Sequence, residues 1–176
     1  MAKINFKKSL TDIVLYIIIY IVVQIFLTYA GAGIWAAVKD EGYQATLLAM
    51  HTGNNAILTA LTTVFSNVIT LIIFLKAKWT PLTRNYLQSK PWISLLWVAL
   101  FTLGAIIPLE FVYEQIGVEM DADTERVFAS LMKEPWGYVA IGILAPLAEE
   151  IVFRGAILRT LLDMVSKKNH WVAIFI

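Results

Sequence analysis

The sequence predicts an all-α fold, a polytopic bundle of transmembrane helices. Three observations carry this. Hydrophobic residues make up 59% of the 176-residue chain and its mean hydropathy is +0.72, against roughly 45–50% apolar residues in soluble domains. The apolar residues are gathered into long runs, and a membrane-crossing helix needs about 20 of them. Lysine and arginine collect in alternate connecting segments, as in a multi-pass protein with its basic loops inside. The chain contains no cysteine, which excludes disulfides, thiolate metal ligands and thiol nucleophiles. The net charge of +1 excludes little. No nucleic-acid motif and no glycine-rich phosphate loop is present, so nucleic acid is not an expected partner.

The first span is read over residues 10–32, rich in Ile and Val and carrying Tyr16, Tyr20 and Tyr29. Lys3, Lys7 and Lys8 precede it, and Ala30-Gly31-Ala32-Gly33 offers the small residues of a cleavage site. The run is too long for a signal-peptide core of about 7–15 residues, so an uncleaved span is expected. The second span, 56–75, carries Ser66, Asn67 and Thr70 as interhelical hydrogen-bonding groups. The third, 92–109, is opened by Pro91-Trp92 and closed near Pro108. The fourth covers 138–162. A fifth run starts at Trp171, six residues from Ile176.

Orientation follows from the loops. Lys3, Lys7 and Lys8, then Lys76, Lys78, Arg84 and Lys90, then Arg159, Lys167 and Lys168 fall on one side of a four-span chain. Residues 110–137 are acidic, with Glu110, Glu114, Glu119, Asp121, Asp123, Glu125 and Glu134 against Arg126 and Lys133. The N-terminus is therefore expected inside. Within the acidic stretch Val127, Phe128, Leu131 and Met132 recur at helical spacing. They mark a short amphipathic helix, either lying at the membrane interface or capping the bundle. No linker or repeat divides the chain, so residues 1–176 are read as one membrane domain.

The fourth span holds the chemistry: Ala145-Pro146-Leu147-Ala148-Glu149-Glu150-Ile151-Val152-Phe153-Arg154-Gly155. At about 1.5 Å per residue Glu149 lies roughly 17 Å in from Tyr138, near the bilayer midplane. A carboxylate there costs about 2.5–3.5 kcal/mol by insertion scales, so two adjacent ones need a reason. At α-helical spacing Gly142, Ala145, Glu149, Val152 and Ala156 share a stripe of mostly small residues. This points Glu149 into the bundle. Glu150 stacks one turn from Arg154. Pro146 cannot donate an N–H, which frees the Gly142 carbonyl and predicts a kink beside a wet cavity. The two acids form a coupled pair, one tied to Arg154 and the other able to act as a general base. The bland alternative is a Glu150–Arg154 bridge that only fixes helix packing. Glu149 has no local partner to fit that reading.

Glu149-Glu150-x-x-x-Arg154 within this run closely resembles the first signature of the CAAX prenyl endopeptidase and bacteriocin-processing family, also called Abi, of intramembrane proteases. The resemblance covers about a dozen residues. It implies a helical membrane bundle around a water-filled catalytic cavity, with Glu149 activating water for peptide hydrolysis, Glu150 supporting it and Arg154 orienting the acids. It also implies later histidine signatures, which would help activate the water or, in a metalloprotease, bind zinc. Those signatures do not occur here. The only histidines are His51, placed in the outer loop after the first span, and His170, and neither follows Phe by four residues. Residues 1–176 are thus expected to be the N-terminal part of a longer domain and inactive alone. The metal, if one is used, would draw on histidines absent from this chain.

The resemblance implies membrane lipid and a membrane-proximal peptide as partners, either a prenylated CAAX-like tail or a bacteriocin-like leader, and a multi-pass protein of a bacterial cytoplasmic membrane. Two other functions stay open on the residues alone. A non-catalytic scaffold or immunity factor would act through the bundle or the acidic segment. A proton- or cation-linked transporter would use the midplane glutamates.

Overall fold

In lipid a backbone must bond to itself, and a single apolar run does so as an α-helix. The computed structural model describes residues 6–80, 92–117 and 121–164, and these are helical with short turns. No strand occurs among the described residues. The fifth run and His170 lie outside them.

The chain divides into two compact units, Met1–Pro81 with Asp123–Ile176, and Leu82–Ala122. In the first unit α1 runs over Phe6–Lys39, α2 over Tyr43–His51 and α3 over Ala56–Lys76. The second unit holds α4, Trp92–Ile116. Helix α5 covers Ala122–Leu131. Residues 135–164 form one continuous helical run, α6, in five segments. These are Pro135–Val139 (α), Ala140–Leu144 (π), Ala145–Glu149 (α), Glu150–Leu158 (π) and Arg159–Met164 (α).

Three of these helices are long and apolar enough to cross a membrane: α1, α3 and Leu96–Ile116 of α4, with mean hydropathies of 2.4, 2.1 and 1.9. They correspond to the first three spans. The residues of the expected fourth span are helical, as α6, which is not among these three. The third does not close at Pro108, because α4 runs through that proline to Ile116. Membrane helices accommodate the one missing N–H. The loop after the first span contains α2, so His51 is the last residue of a short helix.

Helices α1 and α3 pack closely because small residues let them. A Cβ on Gly31 would overlap the Thr62 side chain, and Ala32, Ala36 and Ala60 are buried. The Ala30–Gly33 run is thus a helix-packing surface. Gln24 of α1 ties the pair together. Its amide donates to Asn67 Oδ1 at 3.1 Å, and its carbonyl oxygen accepts from Ser66 Oγ at 2.6 Å. Ser66 and Asn67 are the interhelical groups the sequence marked. Thr70 is equally buried, but among the described residues its hydroxyl has no partner.

At one end of the unit, α5 lies on the turn between α2 and α3. Gly53 there has φ +75°, and a Cβ would stand 2.9 Å from the Arg126 carbonyl oxygen. Leu131 is buried, and its carbonyl sits where a Gly137 Cβ would be. The amphipathic segment is therefore a cap on the bundle. At the other end Tyr16, Phe74 and Trp79 form an aromatic cluster with ring centroids 5.1–5.9 Å apart, against Val152 and Ala156 of α6.

Candidate active site

The local structure of α6 begins with Pro146. A proline inside an α-helix loses one hydrogen bond and crowds the carbonyl four residues back. Here the backbone widens just before it, and the Ala145 N–H bonds to the Ala140 carbonyl, an i→i−5 pairing. A second π segment opens at Glu150. Such widened turns are uncommon in helices and frequent at functional sites.

The widening changes which side chains are buried. Ala140, Ala148, Val152 and Ala156 are all at 0–1% exposure, with Leu144 half-buried between them. These positions repeat every four residues, whereas an α-helix turns in 3.6. The π segments take up the difference and keep a period-four line on one face. The stripe expected from α-helical spacing is therefore rotated. Val152 and Ala156 belong to the buried line, Ala145 is half-buried, and Gly142 and Glu149 are exposed. Glu149 does not point into the packed face against α1 and α3.

On the other face the three marked residues come together. Arg154 Nη1 lies 2.8 Å from Glu150 Oε1, with the side chains 69% and 51% exposed. Glu149, Glu150 and Arg154 line a groove of about 510 Å³ with Pro146, Phe153 and Leu158. It is an open groove along one face of α6, and the charges share it with three apolar side chains. One carboxylate is matched by the guanidinium. Among the described residues no ion pair joins Glu149.

Two residues outside the motif also support the site, and neither was assigned a role from sequence. Tyr20 of α1 meets Phe153 edge to face, with centroids 6.1 Å apart at 79°, and lies within electrostatic reach of Glu149. Tyr16 and Tyr20 stand four apart and so share a helix face, a signal present in the sequence. Thr80, just past the end of α3, donates its hydroxyl to the Ile151 carbonyl at 2.9 Å. Nothing in the local sequence marks it.

A catalytic zinc takes three protein ligands of nitrogen, sulfur or oxygen. No three His, Cys, Asp or Glu converge among the described residues. His51 is exposed at the end of α2, near the α5 cap. Glu149 and Glu150 alone do not make a zinc site.

Residues 131–176 match the family model described as type II CAAX prenyl endopeptidase Rce1-like. The matched segment contains the whole of α6 and therefore Glu149, Glu150 and Arg154. No curated protein and no solved structure matches the chain. The match, over about a quarter of the chain, supports the resemblance read from the Glu149-Glu150-x-x-x-Arg154 signature.

Proposed function

We propose that this chain belongs to the CAAX prenyl endopeptidase and bacteriocin-processing family and supplies the carboxylates of an intramembrane endopeptidase. Glu149 is the general base. It takes a proton from a water in the groove as the water oxygen attacks a peptide carbonyl. It then returns that proton to the amine nitrogen as the C–N bond breaks. Glu150 and Arg154 form an ion pair that fixes the groove charge around it. Pro146, Phe153 and Leu158 hold an apolar peptide segment alongside. The substrate class is a membrane-proximal peptide, prenylated or leader-like, and the N-terminus lies on the cytoplasmic side of a bacterial membrane. No step here runs through a metal, because the described donors do not complete a ligand set.

The observation that carries this reading is the separation of roles on one helix face. Glu150 is tied to Arg154 at 2.8 Å, while Glu149 shares the groove without such a tie. The test is cleavage of an apolar, membrane-anchored peptide by the complete protein in liposomes. Glu149→Gln is expected to remove cleavage while leaving the helical content intact. Cleavage at the wild-type rate in that variant would refute the role. General acid–base groups contribute about 10²–10⁴-fold, so the expected loss is far above assay error.

A further inference from the structure

The chain leaves α3 through a strained turn. Ala77 ends the helix, and Lys78 takes a left-handed φ of 57°. The Lys78 N–H bonds to the Leu75 carbonyl and the Trp79 N–H to the Phe74 carbonyl, both at 3.1 Å. This is the paired pattern of a Schellman motif, in which the left-handed position is usually glycine. A lysine there costs conformational energy, and the surroundings must hold it. Trp79 does so. Its ring meets Phe74 at 5.2 Å and 84°, the contact that commonly seals this motif, and Tyr16 at 5.1 Å.

The turn delivers Thr80, 8% exposed, onto α6. Its hydroxyl donates to the Ile151 carbonyl at 2.9 Å. Its side chain also covers Gly155, where a Cβ would stand 2.8 Å from Thr80 Oγ1 and 3.1 Å from Thr80 Cβ. Ile151 follows Glu150, and Gly155 follows Arg154. One threonine therefore grips the backbone beside both ends of the 2.8 Å ion pair. Both contacts fall inside the π segment Glu150–Leu158, a register that is seldom kept without support.

We propose that Thr80 is a positioning residue, whose hydroxyl and methyl hold this π turn in the rotation that sets Glu150 and Arg154 on the groove beside Glu149. The activity arm of its test rests on the endopeptidase reading, and a second arm does not. Thr80→Val keeps the shape and removes the donor, and Thr80→Ser keeps the donor. In the complete protein Thr80→Val is expected to lower kcat about tenfold with KM unchanged within about twofold, the size of one lost hydrogen bond. Thr80→Ser is expected to restore most of kcat. In parallel, a spin label on Arg159→Cys, with no other cysteine in residues 1–176, is expected to gain mobility in Thr80→Val and not in Thr80→Ser. Wild-type kcat and label mobility in Thr80→Val, or equal changes in both variants, would overturn the proposal. If the wild type shows no Glu149-dependent cleavage, the endopeptidase reading fails and the label alone decides the clamp. If Thr80→Val does not fold, the isotope-edited Ile151 carbonyl stretch of the wild type decides. A lower frequency than the Ile143 carbonyl supports the extra bond, and an equal one removes it.

Discussion

Gly155 shows how much one missing methyl group does in this helix. Its α-carbon faces the Thr80 side chain, which is itself bonded to Ile151 and cannot swing away freely. Gly155→Ala is therefore expected to destabilise the protein by about 1–3 kcal/mol, the usual cost of overpacking. Gly142 lies in the same helix, and a Cβ added there would meet nothing within 4 Å, so Gly142→Ala is expected to cost nothing. Unfolding of both variants in mild detergent separates them, and equal stabilities would remove the claim that Thr80 sits tightly on α6. The Glu150–Arg154 pair behaves differently. Both side chains are more than half exposed on the groove, and where water fills it such pairs contribute about 0–1 kcal/mol. Arg154→Gln is expected to lower stability by less than that while cutting cleavage strongly. A large stability loss with intact cleavage would restore the purely structural reading of the bridge. The motif residues were legible in the sequence because charge in an apolar run stands out. Their facing was not, because 3.6-residue spacing fails where the helix widens, and Thr80 was invisible because nothing local distinguishes a threonine that reaches across 71 positions.

Among the described residues, one polar bridge through Gln24 joins α1 and α3. Gln24 is an amide in an otherwise apolar stretch, and it satisfies Ser66 and Asn67, which are 1% and 2% exposed. With the Ser66 hydroxyl still held by the Thr63 carbonyl at 3.0 Å, Gln24→Leu keeps the bulk but strands the buried Asn67 Oδ1. It is expected to cost about 1–2 kcal/mol, near the upper range for interhelical hydrogen bonds in membranes, when the helices are pulled apart in steric-trapping or detergent unfolding. A neutral result would mean that Asn67 Oδ1 finds another donor. The sequence showed Ser66 and Asn67 but not their partner, since composition cannot tell which helix a polar group will meet. The spans themselves were readable from hydropathy, with ends displaced at α1 and at Pro108. Apolar content measures what lipid will accept, and a helix continues past that limit wherever its turns still bond.

Across the whole first unit, the two ends of the bundle differ in charge as well as in packing. Tyr16 near the start of α1, Trp79 after the end of α3, and Thr160 in the last segment of α6 meet at one end. Lys7, Lys8, Lys76, Lys78 and Arg159 belong to the same helix ends. The opposite end holds α2, the Gly53 turn and the α5 cap, with Glu41, Asp123 and Glu125 among its residues. Folding has therefore gathered chain segments far apart in sequence into one basic end and one acidic end. That is the asymmetry which orients a protein during insertion, where lysine and arginine near helix ends stay on the cytoplasmic side. The N-terminus is accordingly expected inside, with the α5 cap outside and the groove of α6 between them. The absence of cysteine makes this directly measurable. Single cysteines replacing Lys8 and Lys78 are expected to react with a membrane-impermeant maleimide only from the cytoplasmic side of sealed vesicles, and those replacing His51 and Glu125 only from the other. Labelling of Lys8→Cys and Glu125→Cys from the same side would contradict both the orientation and the two-ended packing. The reverse sidedness would keep the packing and invert the membrane around it. In either orientation Glu149 stays between the two ends.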